Sequence, residues 1–157
     1  MNTETTNFFN AIRSNELEEV QQLLNANPDL VHGKDERGST PLILATYYNH
    51  KAIANLILRK NAKIDDRDGS GNTALMGVCF KGYDAIASHL IENGADVNAV
   101  NFAGATPLIY AATFNRQAII KMLLTKNADA TVKDQRGNTA LDHAKMQGLD
   151  ELITLLE

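Results

Sequence analysis

Asp66, Asp68 and Ser70, followed by Gly71, are spaced like the first ligands of a calcium-binding loop of the EF-hand type. A later glutamate binds the ion with both carboxylate oxygens in such a loop, but Gly77 occupies that position here. Glycine also recurs at the place of Gly71 elsewhere in the chain, so it has a structural explanation. We therefore expect a turn at this point and no calcium site.

The histidines and the single Asp–His pair do not indicate a metal site or a catalytic dyad. His32, His50, His89 and His143 are scattered along the chain without the i, i+4 spacing that brings two side chains together on a helix. Asp142 precedes His143 directly, and adjacent residues on a helix diverge by about 100°. We expect no metal and no cofactor.

Cys79 is the only cysteine, so no disulfide can form within the chain, and a reducing compartment is expected. We interpret it as a partly buried, inert thiol. Redox chemistry would require an electropositive setting, which only Lys81 suggests. The sequence has no phosphate-binding glycine loop and no nucleophile–base pair, so we do not expect an enzyme.

The chain is instead organised by a repeat. Gly38, Gly71, Gly104 and Gly137 are each 33 residues apart, and a threonine follows each of them two residues later. A fixed period of this length is typical of stacked supersecondary units and not of a closed globule.

The threonines predict where the helices begin. A threonine oxygen can accept a backbone N–H of the first helical turn, and proline is tolerated at the next position, as at Pro41 and Pro107. We predict N-caps at Thr6, Thr40, Thr73, Thr106 and Thr139. The first helix of each unit is predicted at about 7–14, 41–48, 74–81, 107–114 and 140–147, and the second at about 16–25, 51–60, 84–93, 117–126 and 149–156.

Glycine or asparagine follows each predicted first helix and all but the last of the second helices, which indicates left-handed C-caps. These positions are Asn15, Asn49, Gly82, Asn115 and Gly148 after the first helices, and Asn27, Asn61, Gly94 and Asn127 after the second helices.

Apolar residues recur at equivalent positions and predict the core. The first helices contribute Leu42, Leu75, Leu108 and Leu141, together with the small residues Ala45, Val78, Ala111 and Ala144. The second helices contribute Ile53, Ile57, Leu58, Ile86, Leu90, Ile91, Ile119, Leu123, Leu124 and Ile153. Each unit is too small to bury its apolar face alone, so we expect stability to come from stacking.

Four turns carry the pattern D/N-x-x-G-x-T-[P/A]-L, at residues 35–42, 68–75, 101–108 and 134–141, and L-I-x-x-G-A-D-V-N follows the second of them at residues 90–98. The pattern and its period resemble the ankyrin repeat family across nearly the whole chain. The resemblance implies an all-α ankyrin-repeat solenoid of about five stacked helix-turn-helix pairs, end caps included. It implies a single domain over 1–157, with units at about 5–34 (N-terminal cap), 35–67, 68–100, 101–133 and 134–157 (C-terminal cap).

The chain departs from the family pattern after the T-P-L motif. The histidine usual there is replaced by Ile43, Met76, Ile109 and Asp142. We therefore expect the hydrogen bond between that side chain and the neighbouring turns to be lost.

The resemblance also implies a function, namely holding, scaffolding or inhibiting a partner protein without catalysis. Ankyrin arrays bind their partners through the turn tips and the exposed inner side of the first helices. An enzyme or small-molecule binder built on the same array is the alternative. The predicted partner-binding residues are Arg37, Tyr47, Tyr48, Phe80, Lys81, Phe102, Thr113 and Phe114.

Composition is compatible with a folded protein of 157 residues with 44% hydrophobic residues. A net charge of −4 gives no electrostatic signal for nucleic acid. The first residues lack a basic start and an apolar run, and no stretch approaches the roughly 18 apolar residues of a membrane span. We expect a cytoplasmic monomer whose partner is an unidentified protein, with no contact to nucleic acid or membrane.

Overall fold

The computed structural model describes residues 2–157, which form ten α-helices and one short 3-10 helix, with no strand among them. The helices are α1 (Thr3–Arg13), α2 (Leu17–Ala26), α3 (Pro41–Tyr47), α4 (Lys51–Arg59), α5 (Ala74–Lys81), α6 (Asp84–Glu92), α7 (Pro107–Thr113), α8 (Gln117–Thr125), α9 (Ala140–Met146) and α10 (Asp150–Leu156). The 3-10 helix (Pro28–His32) follows α2.

The helices form five antiparallel pairs that stack in chain order, which confirms the predicted helix-turn-helix solenoid. Each first helix packs on the next, from α1 through α3, α5 and α7 to α9. Among the second helices, α2 packs on α4 and α6 on α8, whereas α4 and α6 approach each other less closely. Ala45, Ala111 and Ala144 are fully buried, and their small side chains let the first helices come close together.

The hydrophobic core extends without interruption from Phe8 to Leu156. Leu42, Leu75 and Leu108 are buried as predicted. Leu141 is only partly buried, because no helix within residues 2–157 covers the outer side of α9. Ile153 packs against the core as predicted but is only partly buried, like Leu58 and Leu124. Leu152 lies 33 residues after Ile119 and is the side chain that is fully buried.

Threonine caps begin four of the first helices, as predicted. The Oγ1 atoms of Thr40, Thr73, Thr106 and Thr139 each accept the backbone N–H three residues later. The prediction for Thr6 is wrong, because α1 starts one turn earlier. Asn2 Oδ1 accepts the N–H of Thr5, and the Thr6 hydroxyl lies inside the helix and donates to the Asn2 carbonyl.

The left-handed C-caps are confirmed at every predicted position except Asn27. The asparagines at 15, 49, 61, 115 and 127 have φ between 58° and 66°, and Gly82, Gly94 and Gly148 also have positive φ. Asn27 has φ −143° instead. Pro28 follows it and restricts it to extended backbone, and its side chain accepts the N–H of Asp29 to start the 3-10 helix.

Candidate protein-interaction surface

Each of the four turns is closed by its first side chain. Asp35 Oδ1 accepts the N–H groups of Arg37 and Ser39, both at 2.9 Å, and Asp68, Asn101 and Asp134 repeat this pair of bonds. Asp68, which resembled a calcium ligand in the sequence, therefore uses its Oδ1 atom to accept the backbone N–H groups of its own turn. No cluster of three or more His, Cys, Asp or Glu side chains in residues 2–157 is arranged to hold a metal ion.

The last three of the four turns are also bonded to one another. The first turn approaches the second closely at Gly38 and Gly69. The N–H of Phe102 donates to the carbonyl of Ser70 at 3.2 Å, and the N–H of Gln135 donates to the carbonyl of Ala103 at 3.0 Å. Asn101 Nδ2 donates to Asn72 Oδ1 at 2.8 Å. These bonds fix the exposed turn tips relative to each other.

The side chains at the family's histidine position form no hydrogen bond to a neighbouring turn, as expected, but in the last two units the next residue bonds a turn instead. Tyr110, one residue after the expected position, donates its hydroxyl proton to Asn72 Oδ1 at 3.3 Å. In the fourth unit His143 Nε2 lies 2.8 Å from Asp134 Oδ2. Asp142 does not pair with its neighbour His143; it accepts the N–H of Thr139 at 2.9 Å and completes a capping box.

Two titratable groups in these contacts have pKa values shifted in opposite directions. Burial raises the pKa of Tyr110, against the opposing effect of its bonds with Asn101 and Asn72. Burial also opposes ionisation of Asp134. Hydrogen bonds from the Asn138 N–H, His143 and the Arg136 N–H outweigh it and hold the pKa of the Asp134 carboxyl below its usual value.

Five of the predicted partner-binding residues lie in a connected row across α3, α5 and α7, which we call the aromatic strip: Tyr47, Tyr48, Phe80, Lys81 and Phe114. The Tyr47 and Tyr48 rings meet edge to face with centroids 5.5 Å apart. The Lys81 ammonium lies 4.9 Å from the Tyr47 ring centroid, a cation–π distance. Phe80 meets Phe114 edge to face, with centroids 4.6 Å apart and ring planes at 83°.

The aromatic rings of the strip remain open to solvent. Tyr47 and Tyr48 are 36% and 45% exposed, and Phe80 and Phe114 are 37% and 38% exposed. Phe80 and Phe114 thus pack across two helices while each leaves more than a third of its surface uncovered. Exposed aromatic surface of this kind marks interaction sites more often than isolated apolar residues do.

The other three predicted residues do not contact the strip through rings or ion pairs. Phe102 is 74% exposed in the third turn and lies over the backbone of Gly71. Arg37 is exposed at the first turn. Thr113 is half-buried, and its hydroxyl donates to the carbonyl of Ile109 at 2.7 Å, so that group already has a partner.

A groove of about 540 Å³ adjoins the tyrosine end of the strip. Its walls are Tyr47 and Tyr48 on one side and α1 on the other, with the first turn between them. Arg13 Nη2 and Asp35 Oδ2 form an ion pair of 2.6 Å within it. The contribution of α1 to this groove was not predicted from the sequence. Its one available signal was Arg13, a cation near the predicted helix end.

Cys79 lies in α5 beneath this surface. The prediction of a partly buried thiol is wrong in degree, since its side chain has no exposed surface. Burial raises the pKa of the thiol far above its usual value, so the thiolate is not formed at neutral pH. Lys81, the proposed electropositive neighbour, turns towards Tyr47.

Stacked helix pairs with a bonded row of turns define the chain as a helical-repeat solenoid. A family model described as ankyrin repeats (3 copies) matches residues 8–101, 58–134 and 75–157. The chain therefore belongs to the ankyrin repeat family, whose repeats generally mediate protein–protein interaction and are typically not enzymes. No curated protein gives a significant match to the sequence. Within residues 2–157, none of the helices has the length and apolar character needed to traverse a lipid bilayer.

Proposed function

We propose that this protein is a non-enzymatic interaction module, a cytoplasmic monomer of one domain. It binds a partner protein with the inner surface formed by its turn tips and first helices, and thereby holds, scaffolds or inhibits that partner. The proposal is supported by the first helices, which pack on one another along the whole array and so carry a continuous surface. The single buried Cys79 thiol suits a reducing compartment.

The observation that carries the proposal is the aromatic strip. Its four rings span three successive units, and each exposes more than a third of its surface. Aromatic residues are enriched among the side chains that dominate binding energy, because they bury much area with few rotatable bonds. The scaffold supports them rigidly, since the helices beneath are fixed by the continuous core.

The proposal is tested by changing Tyr47, Tyr48, Phe102 and Phe114 singly to alanine and measuring both unfolding and partner capture. The full chain is immobilised, incubated with lysate of the native host, and captured proteins are identified by mass spectrometry. We expect a specific protein whose capture falls with these variants while the unfolding midpoint changes little. Leu17→Ala is the matched control, because Leu17 is 41% exposed but lies on α2, away from the strip.

Two outcomes contradict the proposal. The first is a captured partner that the Leu17 variant loses and the aromatic variants retain. The second is a loss of about 3 to 5 kcal/mol of stability in every aromatic variant, the amount typical of truncating a buried aromatic, since these rings would then be core.

A further inference from the structure

Two cations lie beside the phenylalanine pair at the C-terminal end of α5. The Arg116 guanidinium covers Gly82, where an added Cβ would lie 2.7 Å from Nε and 2.8 Å from Cζ. Arg116 Nη2 also donates to the carbonyl of Phe80 at 2.8 Å. Lys81 precedes Gly82 directly, and its ammonium lies 4.9 Å from the Tyr47 ring centroid, so one cation lies on each side of this helix end.

Neither cation has an acidic partner. Within residues 2–157 the two ion pairs are Arg13 with Asp35 and His143 with Asp134. The Arg116 Nε atom is buried without a hydrogen-bond partner. Asp84 is the nearest acid in sequence and is exposed in the first turn of α6, but it forms no ion pair with either cation. The positive charge of the site is therefore not neutralised by an acidic group, although Lys81 lies over the Tyr47 ring and Arg116 bonds the Phe80 carbonyl.

This local charge contrasts with the chain as a whole, which carries a net charge of −4. Electrostatic repulsion disfavours an acidic ligand over most of such a surface, and attraction favours it at a cationic patch. The patch therefore fixes the position and register of the bound ligand. A guanidinium and an ammonium bind carboxylates through charge-assisted hydrogen bonds, and the neighbouring rings accept an apolar side chain.

The size of the strip limits what it can bind. Packed helices are separated by about 8–10 Å, so α3, α5 and α7 together span roughly 20 Å. An extended chain rises about 3.3 Å per residue, so about six residues cross the strip. That length suits a linear segment better than the face of a folded domain.

From this geometry we infer that the strip, with Lys81 and Arg116, binds an acidic linear segment of a partner protein, in which carboxylates alternate with aromatic or aliphatic side chains. The inference rests on the proposed function and adds the chemistry of the partner. The rings take the apolar side chains, and each cation takes a carboxylate near the end of α5.

The test uses a random library of peptides about 12 residues long, displayed on phage and selected on the immobilised full chain. We expect enriched peptides to be net acidic and to contain aromatic or aliphatic residues. The strongest peptide is then synthesised with a fluorophore and titrated by anisotropy. Lys81→Glu should weaken its binding by about tenfold or more, and Lys81→Gln, which removes the positive charge without adding a negative one, should weaken it less. Raising the salt concentration from about 50 mM to about 300 mM should also weaken binding.

Lys121→Glu is the matched control, because it makes the same charge change at an exposed position on α8 and should leave binding unchanged. Thermal unfolding of each variant by circular dichroism separates a binding effect from a folding effect. Enrichment of neutral or basic peptides overturns the inference, as does an acidic peptide that binds the Lys81→Glu variant equally well. If such peptides still lose binding with Phe114→Ala, the proposed function stands while the inferred chemistry fails. If no peptide is enriched, the linear acidic segment is excluded, and the capture experiment alone decides the proposed function.

Discussion

Lys34 Nζ donates a hydrogen bond of 2.8 Å to the carbonyl oxygen of Arg67, which lies 33 residues later in the chain. Arg67 repeats the relationship one unit further on, because its Nη1 donates to the carbonyl oxygen of Val100. The same nitrogen also bonds the carbonyl of Gly71 at 3.0 Å. We call this series of bonds the cation ladder. It ends at Val100, because the valine side chain has no hydrogen-bond donor. Long cations thus add polar ties to the apolar stacking between neighbouring units, on which a repeat array depends.

Arg67→Met should lower the free energy of unfolding by about 1 to 2 kcal/mol, since it removes both bonds and keeps much of the apolar stem. Urea denaturation followed by circular dichroism measures the change. Lys34→Met is the control, because Lys34 is exposed and makes one of these bonds, and it should cost about 0.5 kcal/mol. Equal stability of the Arg67 variant and the unmodified chain would show that the cation ladder contributes nothing.

Gly104 and Gly137 differ in what surrounds them, although both have a left-handed backbone, with φ 77° and 83°. A Cβ at Gly104 would lie 2.9 Å from the backbone nitrogen of Gln135, whereas a Cβ at Gly137 would meet nothing within 4 Å. Gly137→Ala should therefore cost about 1 kcal/mol from backbone strain alone. Gly104→Ala should cost roughly 1 to 3 kcal/mol more, because the next turn has to move. Urea denaturation of both variants measures the two changes in the free energy of unfolding. Equal changes would show that the neighbouring turn moves aside at little cost.

The features predictable from the sequence are those set by one residue and its own backbone. Thr73 and Gly82 each satisfy a local demand, a helix cap and a left-handed turn, so residue type was sufficient. The failures at Thr6 and Asn27 have the same local origin. Asn2 offers a competing cap one turn earlier, and Pro28 forbids the conformation that asparagine otherwise favours.

Contacts between units were not predictable in the same way. The sequence indicated that Tyr47, Lys81 and Phe114 are left free by the repeat. It did not indicate that Lys81 reaches Tyr47 or that Arg116 covers Gly82. Such contacts depend on the distance and rotation between neighbouring units. Many core contacts together determine that distance and rotation. The chemistry of the candidate surface therefore required the structure, while its approximate location did not.

Cys79 provides a probe of unfolding. Its side chain is fully buried and burial raises the pKa of its thiol, so alkylation by iodoacetamide requires the helix to open. We expect no modification of the folded chain over hours and complete modification in about 8 M urea. Mass spectrometry follows the reaction, with a small free thiol as the reagent control. Rapid modification in buffer would show that α5 opens locally.

Acidification should destabilise the protein partly through Asp134. Burial opposes its ionisation, but hydrogen bonds from the Asn138 N–H, His143 and the Arg136 N–H hold the pKa of its carboxyl below the usual value. A carboxyl with a lowered folded pKa stabilises the fold above its unfolded pKa, near 4. That stabilisation is lost as the pH falls through the folded pKa. The melting temperature should therefore fall between about pH 5 and about pH 2, and Asp134→Asn should flatten that fall.

Asparagine is a suitable replacement at position 134, because Asn101 closes the preceding turn with the same two bonds, at 3.0 Å and 2.9 Å. At neutral pH the variant should lose about 1 kcal/mol with the charge-assisted bond to His143. His143→Gln separates the two contributions, since it removes the imidazole and leaves the two backbone bonds to Asp134 in place. Melting curves recorded by circular dichroism at constant ionic strength measure all three proteins. An Asp134→Asn profile parallel to that of the unmodified chain at every pH would show that this carboxyl does not link folding to protonation.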